Sequence, residues 1–257
     1  MTAAFLGLLL LAVTACGGPK PKPAPSVPIP GIDLSGWKLS IPVENDKGTP
    51  TLLQPARVSA PWMVPAAGGG VEMWAPASGT TTENSSHPRT ELNSLTNFKG
   101  GEEAHTLRAT VSIQQVPQDG QGIIIGQIHG AADISSAPYV MLRYWGGRED
   151  IPGSGVVNVV VKQVQKGTER IYYPLLTDVP MNARFDYSIT DRGDGTMLFT
   201  ASWNGVTKQA VAPVPAAFKG ANVRFQAGDY QQSDKPGGDT DGGRVTFHTL
   251  TQSPGVG

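Results

Sequence analysis

An all-β fold is what this sequence predicts: two antiparallel sheets packed as a jelly-roll sandwich, with a concave substrate groove on one side. Three observations lead there. The 257 residues include 32 Gly and 22 Pro, short runs of strand character recur between clusters of Gly, Pro, Asn and Asp, and no segment carries a long 3.6-residue periodicity. Turn formers at that density favour many short strands over long helices, and the length suits one large β domain.

In chain order, strand character is read at 37–41, 71–74, 106–113, 122–129, 139–144, 156–163, 171–173, 184–190, 197–203, 223–231 and 245–250. Residues 191–195, Asp-Arg-Gly-Asp-Gly, are a hairpin loop with Gly available for positive φ. Two long loops, 75–88 and 145–155, are expected near the polar strands, where loops of this kind bind or gate. No second composition shift or repeat appears, so 31–257 reads as one domain.

The N-terminus is organised differently. Residues 3–15 are uncharged and apolar, too short to span a membrane, and end in small residues as an export signal does. Cys16 follows and is the only cysteine. The pattern resembles a bacterial lipobox, which implies a signal at 1–15, lipidation of Cys16 and a Pro-rich tether at 16–30. The expected location is the bacterial envelope, as an outer-membrane lipoprotein touching the membrane only through its lipid. A formal net charge of −1 gives no global field for nucleic acid; attraction to a polyanion has to come from local Arg and Lys.

Three separated segments carry polar side chains at alternating strand positions: Arg89-Thr90-Glu91-Leu92, Gln127-Ile128-His129, and residues 226–232. Strand alternation puts Ile123, Ile125, Gln127 and His129 on one side and Ile124, Gly126 and Ile128 on the other. Arg89 and Glu91 share a face, either as a structural ion pair or with Glu91 orienting Arg89 to grip a ligand carboxylate in a forked geometry. Gln226, Gly228, Tyr230 and Gln232 alternate with Ala227, Asp229 and Gln231; Gly228 leaves room for a ligand at the backbone, and Tyr230 sets a phenol above the groove.

Arg, Gln, His and Tyr together suit proton abstraction beside a carboxylate. A uronate has an unactivated C5 proton next to its C6 carboxylate. Arg89 and Gln127 would neutralise the carboxylate, His129 or ionised Tyr230 would take the proton, and the Tyr230 phenol would protonate the departing O4. This is β-elimination, for which no metal or cofactor is expected. His87, His105 and His248 lack zinc spacing, residues 234–243 read as a flexible turn and not a calcium loop, and Asp119, Glu102 and Glu103 do not form a glycosidase pair.

These segments resemble the signatures of the alginate lyases of polysaccharide lyase family 7: R-(S/T)-E-L-R, Q-(I/V)-H and Y-F-K-A-G-x-Y-x-Q. Here they read Arg89-Thr-Glu-Leu-Asn93, Gln127-Ile-His129 and Arg224-Phe-Gln-Ala-Gly-Asp-Tyr230-Gln-Gln232, in family order, with similarity from about residue 34 to 248. The resemblance implies a β-jelly roll acting on alginate as a monomer. It implies Arg89 and Gln127 as carboxylate neutralisers, His129 as base and Tyr230 as acid, or as both for one epimer. Glu91, Asn93, Arg224, Gln226 and Gln232 are the expected substrate contacts. Asn93 stands where the family has a second Arg, and Arg224 and Gln226 replace Tyr and Lys, so uronate choice is less fixed than reaction type. Ile128 resembles the variant associated with guluronate-containing blocks. The competing readings are a lyase for another polyuronate such as glucuronan, and a catalytically silent carbohydrate-binding jelly roll.

Overall fold

A computed structural model describes residues 29–146 and 154–256. The expected signal, Cys16 and nearly all of the tether lie outside the described residues, as does much of the 145–155 loop. The strands are β1 (Trp37–Glu44), β2 (Pro50–Leu53), β3 (Met63–Pro65), β4 (Val71–Pro76), β5 (Arg89–Ser94), β6 (Phe98–Lys99), β7 (Ala104–Gln115), β8 (Ile123–Gly130), β9 (Pro138–Trp145), β10 (Ser154–Lys162), β11 (Arg170–Pro180), β12 (Arg184–Arg192), β13 (Thr196–Trp203), β14 (Val206–Pro213), β15 (Asn222–Gln231) and β16 (Gly242–Pro254).

They form the expected sandwich. One sheet runs β11-β10-β9-β8-β15-β5-β1-β2, with β6 also on β15; the other runs β14-β13-β12-β7-β16-β4-β3. All pairings between these strands are antiparallel. Period-2 alternation explains the packing: Leu107, Ala109, Val111 and Ile113 of β7 turn inward to meet Leu39, Leu92, Ile128 and Ala227 of the larger sheet in one core. Ile29 and Ile32 belong to that core too, so the folded part reaches at least to Ile29.

The expected hairpin joins β12 to β13, with Gly193 at φ 72° and Gly195 at φ 82°. Asp191 pins it, accepting bonds from Gly101 N (2.8 Å) and Gly193 N (3.0 Å). Four strands escape a reading by pattern. β2, β3 and β6 are too short to show a period, and β14 is a largely exposed edge strand with Lys208 and Gln209.

One face assignment is corrected. In β8, Ile124 pairs with Arg143 and Gly126 with Leu142, leaving Ile125 as an extra residue in a β-bulge. The bulge reverses the phase of the strand. Ile123 and Ile125 therefore face the core, and it is Ile124 that lies with Gln127 and His129 on the open face. Tyr187 from the opposite sheet braces this point, its hydroxyl donating to the Ile125 carbonyl at 2.7 Å.

Candidate active site

The open face of the larger sheet carries a cleft of about 420 Å³. Its floor comes from neighbouring strands: Lys38 and Ser40 of β1, Arg89 and Asn93 of β5, Arg224, Gln226 and Tyr230 of β15, Ile124, Gln127 and His129 of β8, and Met141 of β9. Strand registry brings the distant segments together. Asn93 pairs with Gln226 and Gln226 with Gln127, while Arg89 pairs with Tyr230 and Arg224 with His129.

Glu91 is where the structure departs from expectation. It is fully buried at 0 % exposure and lies beneath the cleft floor as a brace, not a substrate contact. One carboxylate oxygen accepts from Gln127 Nε2 at 2.5 Å and the other from Arg89 at 3.4 Å. Burial pushes its carboxyl up, opposed by Arg89 and by the Gln127 bond. Gly228 pairs with Glu91, and a Cβ there would strike the Thr90 carbonyl and Glu91 Cα. The space it leaves is taken by the neighbouring strand β5, not by a ligand.

The amides form a chain. Gln127 Nε2 also donates to Gln226 Oε1 at 3.1 Å, Gln226 Nε2 donates to Asn93 Oδ1, and Asn93 Nδ2 donates to the Glu91 carbonyl at 3.1 Å. Both Gln127 amide hydrogens are thus engaged, and its Oε1 is buried without a protein partner. In this arrangement Gln127 has no amide hydrogen left over for a substrate carboxylate.

His129 Nδ1 lies 3.0 Å from the Gly130 carbonyl. A carbonyl only accepts, so Nδ1 holds the proton and Nε2 keeps its lone pair. Burial chiefly, with help from Arg89 and Arg224 and against the Gly130 bond, pushes His129 down to about 4. The imidazole is neutral and able to accept a proton. Arg89 lies over the Tyr230 ring, Cζ 3.7 Å from its centroid, which fixes the phenol beside the guanidinium. Gln232 lines the cleft and ties back to the Tyr230 carbonyl at 3.2 Å. Arg224 also lines it, its Nε buried and unpartnered.

The fold agrees with the comparison that decides the family. The alginate lyase family model matches residues 32–254. The chain belongs to the alginate lyases. An alginate lyase from Pseudomonas aeruginosa is similar over 87 % of this chain and 100 % of its own, at 28 % identity and a TM-score of 0.74. Alginate lyase A1-II′, a member of polysaccharide lyase family 7, is similar over 88 % of this chain and 97 % of its own, at 26 % identity and TM-score 0.73. A doubly substituted A1-II′, with His→Asn and Tyr→Phe changes, in complex with substrate (GGMG) matches at 26 % identity and TM-score 0.69, over 88 % of this chain and 97 % of its own. No curated protein matches.

Two residues that bear on the lyase's cleft, one lining it and one touching Tyr230, are absent from the three sequence signatures. Lys38 is legible by period 2, since it shares a face with Ser40; burial and Arg224 lower its pKa. With Arg89 and Arg224 it makes the cleft locally cationic on a chain whose formal net charge is −1. Ser85 carries no such signal. It belongs to the 75–88 loop, which supplies Thr82, Glu83 and Asn84 to the cleft wall. Ser85 Oγ donates to the His87 carbonyl at 3.1 Å and accepts from His87 N at 3.1 Å. Ser85 Oγ also lies 2.9 Å from the Tyr230 hydroxyl, a contact in which either oxygen can donate.

Proposed function

We propose that this alginate lyase cleaves guluronate-containing blocks by β-elimination, with Arg89 as the carboxylate clamp, His129 as base and Tyr230 as acid. The observation that carries the reading is the neutral His129, its free Nε2 facing a cleft that also holds Arg89 and the Tyr230 phenol. Arg89 draws charge from the C6 carboxylate and lowers the cost of the enolate-like state. His129 Nε2 takes the C5 proton, the electron pair forms the C4–C5 double bond, and the C4–O4 bond breaks as Tyr230 gives its proton to O4. Asn93, Gln226 and Gln232 hold the floor in register, and Arg224 adds a second cation.

The complexes of A1-II′ with substrate (GGMG) and product (GGG) support alginate oligosaccharides as ligands, and Ile128 in the Gln127-Ile-His129 motif supports the guluronate preference. The decisive assay incubates residues 29–257 with polyguluronate, polymannuronate, alginate and glucuronan, following ultraviolet absorbance of the unsaturated product. Turnover fastest on polyguluronate is expected; a preference for polymannuronate or glucuronan reassigns the substrate. Tyr230→Phe is expected to abolish turnover while binding persists, and wild-type rates in that variant would refute the acid. Arg89→Lys loses the fork and is expected to cost at least about a hundredfold in kcat/KM.

We also infer export and lipidation at Cys16, from the apolar run that ends at that residue and the Pro-rich stretch after it. Labelled palmitate should enter the wild-type protein and not Cys16→Ser.

A further inference from the structure

The floor of the cleft does not stop at its edge. One register row runs Lys38, Asn93, Gln226, Gln127, Met141, Val160, Tyr172, from β1 to β11. The next runs Arg89, Tyr230, Ile124, Arg143, Asn158, Pro174. Residues directly opposed on neighbouring strands share a face. The face holding Arg89, Gln127 and Tyr230 therefore continues onto β9, β10 and β11, reaching Tyr172 three strand spacings, about 14 Å, beyond Gln127.

This outlying face has a composition that packing alone does not require. Arg143 Cζ lies 4.4 Å from the Trp145 ring centroid and 5.6 Å from that of Tyr172, and Arg170 Cζ lies 5.6 Å from Tyr172 on the exposed edge strand. Tyr172 is 48 % exposed, where an edge strand normally carries a small or charged residue. Arg143 donates its Nε to Asn158 Oδ1 at 3.4 Å. Neither guanidinium has a carboxylate partner among the described residues. A half-buried Trp145 and an exposed Tyr172, beside two guanidiniums without a carboxylate partner among the described residues, match one ligand chemistry: a chain of pyranose rings, each with an apolar C–H face and a carboxylate.

We propose that Arg143, Trp145, Arg170 and Tyr172 form a distal platform for the polyuronate chain, with sugar faces on the two rings and carboxylates on the two guanidiniums. This rests on the reading of the cleft as a polyuronate site. The scissile unit sits over Arg89, Gln127, His129 and Tyr230, and units beyond it lie across β9 to β11. Long chains engage both regions. Short oligosaccharides that end within the cleft engage only the first, so the platform contributes to discrimination by length.

The test is a Tyr172→Ala/Arg170→Glu double variant; both positions are exposed, and an unchanged Tm verifies folding. The ratio of kcat/KM on alginate polymer to that on short oligosaccharides is expected to fall between about threefold and tenfold. Binding is read without turnover, by retardation of the Tyr230→Phe protein in native gels containing alginate, with and without the double substitution. Weaker retardation in the double variant supports the platform even if the wild-type chain cleaves no polyuronate, a result that would defeat the elimination chemistry alone. An unchanged length ratio in an active enzyme, or unchanged retardation, overturns the platform.

Discussion

With His129 pushed down to about 4 chiefly by burial, the proposed base stays unprotonated at pH values where an ordinary histidine is already charged. The acid limb of kcat/KM is accordingly expected near pH 4, and a limb near 6.5 would remove His129 from the role of base. The same shift has a sign for stability. Between about 4 and 6.5 the unfolded chain binds the proton that the folded chain refuses, so this contribution is present above 6.5 and is lost as pH falls through 4. At this scale the sequence was readable where strand segments bring polar side chains to one face, as for Arg89, His129 and Tyr230, which all line the cleft. It was not readable where depth decides. Nothing in the order Arg89-Thr-Glu91 says that the Glu lies beneath the floor while the Arg remains at the surface of the cleft.

Strand β8 carries the lesson at the scale of the element. Perfect alternation would put Ile125 on the same face as Gln127; the bulge at Ile125 instead turns Ile124 outward and frees Ile125 for the core. Tyr187 holds that bulge through its 2.7 Å bond to the Ile125 carbonyl. Tyr187→Phe is expected to cost about 1–2 kcal/mol of stability by denaturant titration, together with a loss in kcat larger than that modest destabilisation explains. Gly126→Ala should be harsher, since a Cβ there would come within 2.9 Å of the Tyr187 ring. The strands themselves were largely visible because β-branched and aromatic residues alternate between turn signals. The bulge was not, because it depends on a tyrosine contributed by the other sheet, 62 residues along the chain, and β14 was hidden by the polarity of an exposed edge.

For the molecule as a whole, the sandwich was legible from turn density and the absence of helical periodicity, whereas the seven-strand continuity of the open face depended on registers that no local pattern encodes. The two sheets are pinned at Asp229, which is fully buried on the core side of β15 and accepts from Ala75 N at 3.1 Å. Burial raises its carboxyl well above the usual range. An acid raised on folding binds its proton more tightly in the native state, so its stabilising contribution is present below the unfolded pKa of 3.8 and lost as pH climbs through the folded value. Asp229→Asn keeps an acceptor for Ala75 N and is expected to raise Tm at about pH 7 while changing little at about pH 4; a lower Tm at neutral pH would contradict this. The loop residue Ser85 reaches the same sheet from outside, where its hydroxyl hydrogen-bonds the Tyr230 phenol at 2.9 Å. Tyr230 is thus shared between the sheet that carries it and the 75–88 loop, and turning its hydroxyl to a glycosidic oxygen costs that bond. Ser85→Ala removes this tether and is expected to change kcat by a factor of about two to ten with Tm nearly unchanged; a wild-type kcat would show that the tether does not restrain the phenol.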